Sequence, residues 1–364
     1  MNFPHQPDQF TAKWFTQTLR QAGVLNNARV KLFEVKKLSG IQGALAQNTI
    51  ITLSYDIVED DAPRSIFAKF ASSDPERRTT LRNVYMQEVR FYQQFAHRVD
   101  LPTPQAYFSA FDEATSYFLL LLADCSDGEI GDRATGCSVD KARPIIREIA
   151  KFHAAWWEHP DLAQTPWPLN DASSVNRRHA LYRDFVNALD DIPEIPREAA
   201  LIQTIKEYST SYVDWTKHLQ NSPYTLIHND YQLDNFIFSR TAGTTKFMVL
   251  DWQLMTLGRG AKDVSDFLGG NISIEDRRAH EKDLLKLYHD TLCEHGVRDY
   301  SFDQCWDDYR LSMLDNLWRM VLVLGSERDN MREAQYAAHR DVIAPRFFTA
   351  VVDLNCREML KRLT

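Results

Sequence analysis

The chain has 364 residues and a formal net charge of −8, and 44% of its residues are hydrophobic and 25% charged. This size allows two domains, and the composition is typical of a globular protein rather than a disordered one. The negative charge argues against sequence-independent binding to nucleic acid, which depends on Lys and Arg.

The sequence also gives information on membrane spans, a signal peptide and paired cysteines. No run of about 18 apolar residues that could span a membrane occurs, and the stretch MNFPHQPDQF lacks the basic and apolar regions of a signal peptide. The five cysteines have no CxxC spacing, which indicates reduced thiols rather than a disulfide framework or a zinc site. We therefore expect a cytoplasmic protein without membrane or nucleic-acid partners; its oligomeric state is not predicted.

The first third of the chain is rich in strand patterns. Alternating or β-branched runs broken by turn residues predict strands, and apolar positions at helical spacing predict helices. The predicted elements are a helix over Thr11 to Gly23, strands over Val30 to Gly40, Asn48 to Val58 and Arg64 to Ser72, a long helix over Pro75 to Val99, and a two-stranded hairpin over Pro104 to Asp124.

Helices dominate after residue 124, where CSDGEIGDR has loop chemistry. The predicted helices cover Ser138 to Glu158, Arg197 to Gln220 and several segments from His280 onwards. The Pro-rich stretch 160–196, with a short helix over Val175 to Leu189, is interpreted as an insertion. We predict one domain over 1–124 and a second over 125–364.

The segment LIHNDYQLDNFIF concentrates polar side chains between apolar ones. His228, Asp230 and Asn235, followed by Asp251 in VLDW, have the layout of a kinase catalytic loop and its metal-binding aspartate. In phosphoryl transfer a carboxylate orients the attacking hydroxyl, and a divalent cation needs oxygen ligands. Asp230 suits the first task, and Asn235 with Asp251 suits the second.

Two residues upstream strengthen this interpretation. Lys69 lies on the third predicted strand, and Glu88 lies 19 positions later on the long helix, which is the order of the phosphate-binding lysine and its glutamate partner in kinases. The alternatives are that Lys69 and Glu88 form an ordinary surface pair, that Asp230, Asn235 and Asp251 only shape turns, and that His228 is structural.

Together FAKF, QEVRFY, IAKFHAAWWE, LIHNDYQLDNFIF and VLDWQLMTLGRGAKDVSDFL resemble the aminoglycoside phosphotransferase and choline kinase superfamily, and most closely its ecdysteroid-kinase-like branch. The resemblance implies a bilobal, protein-kinase-like α+β fold. Its small lobe has a five-stranded antiparallel sheet plus a helix, and its second lobe is mainly helical.

The resemblance also implies residue roles. Asp230 corresponds to the catalytic base, Asn235 and Asp251 to magnesium ligands, Lys69 to the phosphate-binding lysine and Glu88 to its partner. The remaining assignments are a hinge for adenine that includes Leu122 and Ala123, a nucleotide loop that includes Gly40 and Gly43, and Asp263 as a structural residue that supports the catalytic loop.

This chain departs from related kinases in several places. Gly40 and Gly43 lack the G-x-G-x-x-G spacing, Asn229 stands where aminoglycoside enzymes usually have Gly, and Trp252 follows Asp251 in place of a DFG element. We expect a kinase that uses ATP or GTP with Mg²⁺ to phosphorylate a small-molecule alcohol. A choline or ethanolamine kinase, or a catalytically silent nucleotide-binding fold, remains an alternative.

The nature of the acceptor stays open at this point. Aromatic residues Trp306, Tyr309 and Trp318 favour a hydrophobic or ring-containing alcohol if they reach the pocket, although their helical spacing is more typical of a core. Acidic residues nearby would instead suit an amine; they are Asp307, Asp308 and Asp315.

Overall fold

A computed structural model describes residues 3–37, 46–98, 101–221, 223–240, 246–326 and 331–362. The chain forms two compact units. The first unit comprises Met1–Glu129 and Ile237–Leu254, and the second comprises Ile130–Phe236 and Met255–Thr364. The boundary predicted after residue 124 stays a prediction, and residues 237–254 are grouped here with the first unit.

The first unit contains a five-stranded antiparallel sheet. Its strands are β1 (Val30–Lys37), β2 (Gln47–Tyr55), β3 (Ser65–Phe70), β4 (Ala106–Phe111) and β5 (Phe118–Ala123). Their order in the sheet is β1-β2-β3-β5-β4, so that β3 is central and pairs with both β2 and β5. The strands and hairpin correspond to those predicted from apolar alternation.

Helix α1 (Ala12–Gln21) covers one face of this sheet. Thr11 caps it by accepting a hydrogen bond from the Trp14 N–H at 3.1 Å, as expected for an N-cap threonine. Phe15 and Leu19 are fully buried in one apolar cluster with residues of the sheet that include Ile66 and Leu121. The core of the first unit therefore lies between α1 and the sheet.

The long helix predicted over Pro75 to Val99 is interrupted. The chain forms α2 (Pro75–Thr80) and α3 (Arg82–Arg90), separated at Leu81, which has φ −89° and ψ 3°. A π-helical turn over Phe91–Phe95 follows and buries three aromatic rings. The prediction of one continuous helix was wrong, because apolar spacing does not register a single non-helical residue between two helical segments.

The second unit is mainly helical. Its principal helices are α4 (Val139–Ala155), α5 (Pro160–Gln164), α6 (Ala172–Asn187), α7 (Ala199–Gln220), α8 (Ala261–Asn271), α9 (Ile274–Glu294), α10 (Phe302–Ser326), α11 (Glu333–Ala338), α12 (Ala344–Asp353) and α13 (Arg357–Leu360). The sequence predicted helices only from His280 onwards in the last part of the chain, whereas α8 and the start of α9 precede it. A five-stranded sheet in one unit and a mainly helical second unit confirm the predicted α+β class.

Short strands complete the fold. They are β6 (Glu129–Ile130), β7 (Thr225–Ile227), β8 (Phe236–Phe238), β9 (Phe247–Val249) and β10 (Thr256–Gly258). Strand β7 pairs with β10 and leads directly into the polar segment His228 to Asn235. In the described part of the chain, no helix is long and apolar enough to cross a membrane.

Candidate active site

Lys69 stands at the centre of a buried ionic cluster in the first unit. It lies on the central strand β3, where Ile66, Ala68 and Phe70 point into the core. The Lys69 ammonium contacts Glu88 Oε2 at 2.7 Å and Asp251 Oδ1 at 2.9 Å. Lys69 and Glu88 are 8% and 2% exposed, so they are not the surface pair considered as an alternative.

Burial and the neighbouring charges shift the pKa values of Lys69 and Glu88. Burial alone would lower the pKa of Lys69, but the carboxylates of Asp251 and Glu88 outweigh burial and raise it. Burial raises the pKa of Glu88, and the nearby Asp251 carboxylate adds to this, while Lys69 opposes it. Lys69 therefore remains a cation, and its position is fixed by two carboxylates.

Asp251 reaches this cluster through an unusual backbone conformation. Its φ is 62°, a left-handed conformation that costs an L-residue about 1–2 kcal/mol. The next residue, Trp252, is fully buried and stacks on Phe91 with ring centroids 3.8 Å apart. This aromatic contact fixes the chain next to the helix that carries Glu88, so packing holds Asp251 in its strained position.

Asp251 is also the most accessible member of the cluster. Its side chain is 31% exposed, compared with 10% for Lys69 and 3% for Glu88. Its Oδ1 accepts from Lys69 and its Oδ2 accepts from Gln253 at 3.1 Å. Where a partly exposed carboxylate lies beside an ammonium, the carboxylate can bind a cation and the ammonium can bind the phosphates that accompany that cation.

The remaining first-unit predictions concern the nucleotide. Leu122 and Ala123 end strand β5, and the Ala123 N–H donates to Gln105 O at 2.8 Å. Asp124, directly after them, accepts from the Ser65 hydroxyl at 2.6 Å. Gly40 and Gly43 lie outside the described residues.

In the second unit, Asp230 and Asn235 meet in one loop. The Asn235 amide donates to Asp230 Oδ2 at 2.9 Å and to Asp230 O at 2.8 Å, and Gln232 donates to the same Oδ2 at 3.2 Å. The four residues between Asp230 and Asn235 thus turn the chain back on itself, as the spacing predicted. Burial raises the pKa of Asp230, while Arg319 opposes this increase.

Asp263 supports the backbone of this loop. It is fully buried and accepts hydrogen bonds from the N–H groups of His228 at 2.7 Å and Asn229 at 2.8 Å, and from His153 at 3.2 Å. Burial would raise the pKa of Asp263, but these hydrogen bonds and the neighbouring histidines lower it. The buried His228 ring accepts from the Asp230 N–H at 3.2 Å, in line with the structural alternative for this histidine.

Asn229 is the second left-handed residue of the candidate site, with φ 65°. Glycine tolerates this conformation best, and asparagine is among the few other residues that adopt it readily. Asn229 is therefore a residue whose backbone preference is compatible with the conformation at this position.

Sequence reasoning missed Arg319 and Asp266. Arg319, on α10, contacts Asp230 Oδ1 at 3.4 Å and Asp266 Oδ2 at 3.1 Å, and the fully buried Asp266 also pairs with Arg133 at 3.2 Å. The one available signal was the pair Asp315 and Arg319 at i,i+4 in the otherwise apolar stretch LSMLDNLWRMVLVLG, because opposite charges inside an apolar helix indicate buried pairing.

The donor chemistry of both units suits a hard divalent cation. The Asn235 amide nitrogen is engaged by Asp230, which leaves its carbonyl oxygen as the coordinating group, and Asp251 offers an exposed carboxylate. Within the described ranges no group of three or more His, Cys, Asp or Glu residues is clustered as for a metal ion. Carboxylate and amide oxygens are among the donors that magnesium takes, and at phosphate sites this cation keeps waters and phosphate oxygens as its other ligands.

Comparisons with known proteins agree with this arrangement. The profile of the ecdysteroid kinase-like family matches residues 46–298. The chain belongs to the ecdysteroid kinase-like family. A curated relative, an uncharacterized kinase-like protein from Caenorhabditis elegans, is 24% identical over 287 residues that cover 72% of this chain and 74% of the relative.

Solved structures of low sequence identity share the fold. A putative aminoglycoside phosphotransferase from Ralstonia eutropha JMP134 has a TM-score of 0.54 and 14% identity, covering 97% of this chain and 99% of its own. A choline kinase from Cryptosporidium parvum Iowa II has a TM-score of 0.54 and 12% identity, covering 97% of each chain. The predicted protein-kinase-like fold is thereby confirmed, and the family profile confirms the predicted ecdysteroid-kinase-like branch.

Proposed function

We propose that this ecdysteroid kinase-like protein transfers a phosphoryl group from ATP or GTP to a hydroxyl group of a small molecule, with Mg²⁺ as cofactor. The observation that carries the proposal is the Lys69–Glu88–Asp251 cluster, in which Lys69 and Glu88 are buried and the Asp251 carboxylate is partly exposed. A structural ion pair needs only two charges. A third, strained and accessible carboxylate is instead what a site for a cation and phosphates requires.

In the first unit, Lys69 would bind the nucleotide phosphates and Glu88 would hold its ammonium in place. Leu122 and Ala123, at the end of β5, would receive the base, and the loop with Gly40 and Gly43 would contribute to phosphate binding. The proposed oxygen ligands of magnesium are Asp251 and Asn235. The cation supplies charge neutralisation of the transferring phosphoryl group.

In the second unit, Asp230 would orient the acceptor hydroxyl and take its proton. The Asp230 carboxylate is 22% exposed, so a substrate can reach it. Burial raises the pKa of Asp230 towards neutral pH, and a general base is more effective when its pKa lies near the pH of the reaction. Asn235 and Gln232 donate to Oδ2, and these hydrogen bonds hold the carboxylate in one orientation.

The surroundings of α10 bear on the class of acceptor. Each of the three acidic residues that could have suited an amine has a cationic partner: Asp307 contacts Arg310 at 3.4 Å, Asp308 contacts Arg259 at 3.2 Å, and Asp315 contacts Lys262 at 3.1 Å. Tyr309 and Trp318 are buried, in line with the core interpretation. These pairings favour an uncharged or anionic alcohol over a polycation.

A cytoplasmic location remains a prediction, which the five free cysteines support.

The test is an acceptor screen with product detection. Wild-type protein is incubated with ATP or GTP, Mg²⁺ and single small-molecule alcohols, including choline, ethanolamine and an aminoglycoside, and acceptors are analysed by mass spectrometry for a gained phosphoryl group. We expect phosphoryl transfer to at least one uncharged or anionic alcohol. This transfer should be lost when Mg²⁺ is omitted and in the Asp230→Asn variant.

Each other outcome of the screen is informative. Transfer to choline or ethanolamine in preference to uncharged alcohols would replace the proposed acceptor class with the choline-kinase alternative. Nucleotide binding without transfer to any member of a broad alcohol panel would favour a catalytically silent fold.

A further inference from the structure

Arg319 makes an unusual number of contacts with the catalytic loop. Its Nη2 donates to the backbone oxygen of Asn229 and, at 3.1 Å, to Asn229 Oδ1, while its Nη1 contacts Asp230 Oδ1 at 3.4 Å. A single guanidinium therefore contacts the backbone before Asp230, the neighbouring amide side chain and the Asp230 carboxylate itself.

The position of Arg319 is fixed from its other side. Nη1 also donates to the fully buried Asp266 at 3.1 Å, and Nε lies 3.6 Å from Asp315, one helical turn earlier on α10. Burial would lower the pKa of Arg319, but Asp266, Asp315 and Asp230 raise it, so the charge is permanent. The planar, branched guanidinium suits such multiple contacts, whereas a lysine offers a single point charge.

Arg319 and Asp263 hold Asn229 from opposite ends. Asp263 accepts the Asn229 N–H at 2.8 Å, and Arg319 donates to the Asn229 carbonyl oxygen. Asn229 has a positive φ, and the hydrogen bonds at both of its ends stabilise this left-handed conformation. The direction of the next residue, Asp230, follows from that conformation.

We propose that Arg319 is a positioning residue that holds the 229–230 segment and orients the Asp230 carboxylate. The contribution of Arg319 to catalysis rests on the proposed function. Arg319 lies beyond residues 46–298, which match the family profile, so the part of the chain after the matched segment contributes to the active loop.

The chain offers a matched control on the same helix. Arg310 is 9% exposed and donates to two backbone oxygens, Leu354 O at 2.8 Å and Asn355 O at 3.0 Å, but it has no contact with the catalytic loop in the described part of the chain. Loss of Arg310 removes a comparable set of hydrogen bonds from α10, so it reports the purely structural cost.

The experiment compares Arg319→Ala, Arg319→Lys and Arg310→Ala by kinetics. We expect kcat of Arg319→Ala to fall about 100-fold with the nucleotide KM changed less than about threefold, because a small misplacement of a catalytic group has an effect of this order. Low, non-denaturing guanidinium chloride should restore part of the lost kcat. Arg319→Lys should remain impaired, and Arg310→Ala should keep kcat within about threefold of wild type. Equal kcat losses in Arg319→Ala and Arg310→Ala would overturn the proposal.

Hydrogen exchange gives a readout that needs no activity. Amide exchange of the peptide covering 226–238 should accelerate at least about tenfold in Arg319→Ala, or in Arg319→Lys if the alanine variant does not fold, and not in Arg310→Ala. Unchanged exchange in the Arg319 variants would exclude the positioning role. If the wild type showed no phosphoryl transfer while exchange accelerated as expected, the proposed function would fail but Arg319 would still hold the loop.

Discussion

The two units hold their strained residues by different means. In the first unit, Asp251 has φ 62° and is fixed by an apolar contact, the stacking of Trp252 on Phe91. In the second unit, Asn229 has φ 65° and is fixed by hydrogen bonds to the buried charges of Asp263 and Arg319. Both residues have the left-handed conformation. The backbone beside Asp251 is anchored by aromatic packing in addition to the ion pair with Lys69, whereas Asn229 is held by hydrogen bonds to charged side chains.

This difference predicts different responses to mutation and pH. A backbone segment held by packing depends on the volume and shape of the side chains that pack against it. A site held by buried charges depends on every partner remaining charged and paired, because an uncompensated buried charge is costly. We expect the first region to respond to cavity-forming substitutions and the second to loss of charge.

The largest expected effect separates the roles of the two regions. Asp230→Ala should lower kcat at least about a thousandfold, equivalent to about 4 kcal/mol of transition-state stabilisation, because the acceptor hydroxyl loses its proton acceptor. Nucleotide affinity should change little, since the Lys69–Glu88–Asp251 cluster is untouched. Steady-state kinetics and nucleotide titration check this, and the isosteric Asp230→Asn should behave alike. Turnover of either variant within tenfold of wild type would contradict the assignment.

The second prediction concerns the stacking contact between Trp252 and Phe91. Trp252→Ala should lower the free energy of unfolding by about 3–5 kcal/mol, the usual cost of removing a fully buried large aromatic side chain. Denaturant titration measures this change. Trp252→Ala should also weaken nucleotide binding, because Asp251 loses its support. Trp252→Phe retains a ring for stacking on Phe91, so it should recover most of the lost stability and most of the lost nucleotide affinity. If both variants were equally weak in nucleotide binding, stacking would not be what holds Asp251.

The third and smallest effect tests the ionic support through pH. The folded-state pKa of Asp263 is lowered from 3.8, so its contribution to stability is fully present above pH 3.8 and is lost as pH falls through the lower folded value. Asp263→Asn should cost about 1–3 kcal/mol at pH 7. The variant should also lose less stability than wild type on acidification below pH 3.8. Unfolding titrations of both proteins between about pH 2 and pH 7 check this, and parallel curves below pH 3.8 would exclude this role of Asp263.

The sequence predicted those features whose signals are local. The sheet followed from alternating apolar runs, and the loop containing Asp230 and Asn235 followed from a spacing within one segment. Helix α8 was not predicted, because all 11 of its residues are buried, including the polar Lys262, Asp263, Ser265 and Asp266, so its sequence does not divide into an apolar buried face and a polar exposed face. Arg319 was not assigned because its link to Asp230 spans 89 residues and depends on how α10 packs.

Nucleotide binding at Asp251 is the most direct test of the central claim. Thermal unfolding is followed during titration with ATP and with GTP, with and without Mg²⁺, for wild type, Asp251→Ala and the control Asp112→Ala, which removes an exposed turn carboxylate of the same unit. A ligand at about 100 times its Kd stabilises the folded state by about 2.7 kcal/mol. We predict a magnesium-dependent stabilisation in wild type and Asp112→Ala that is lost in Asp251→Ala. No stabilisation of the wild type by either nucleotide would contradict the proposed phosphotransferase.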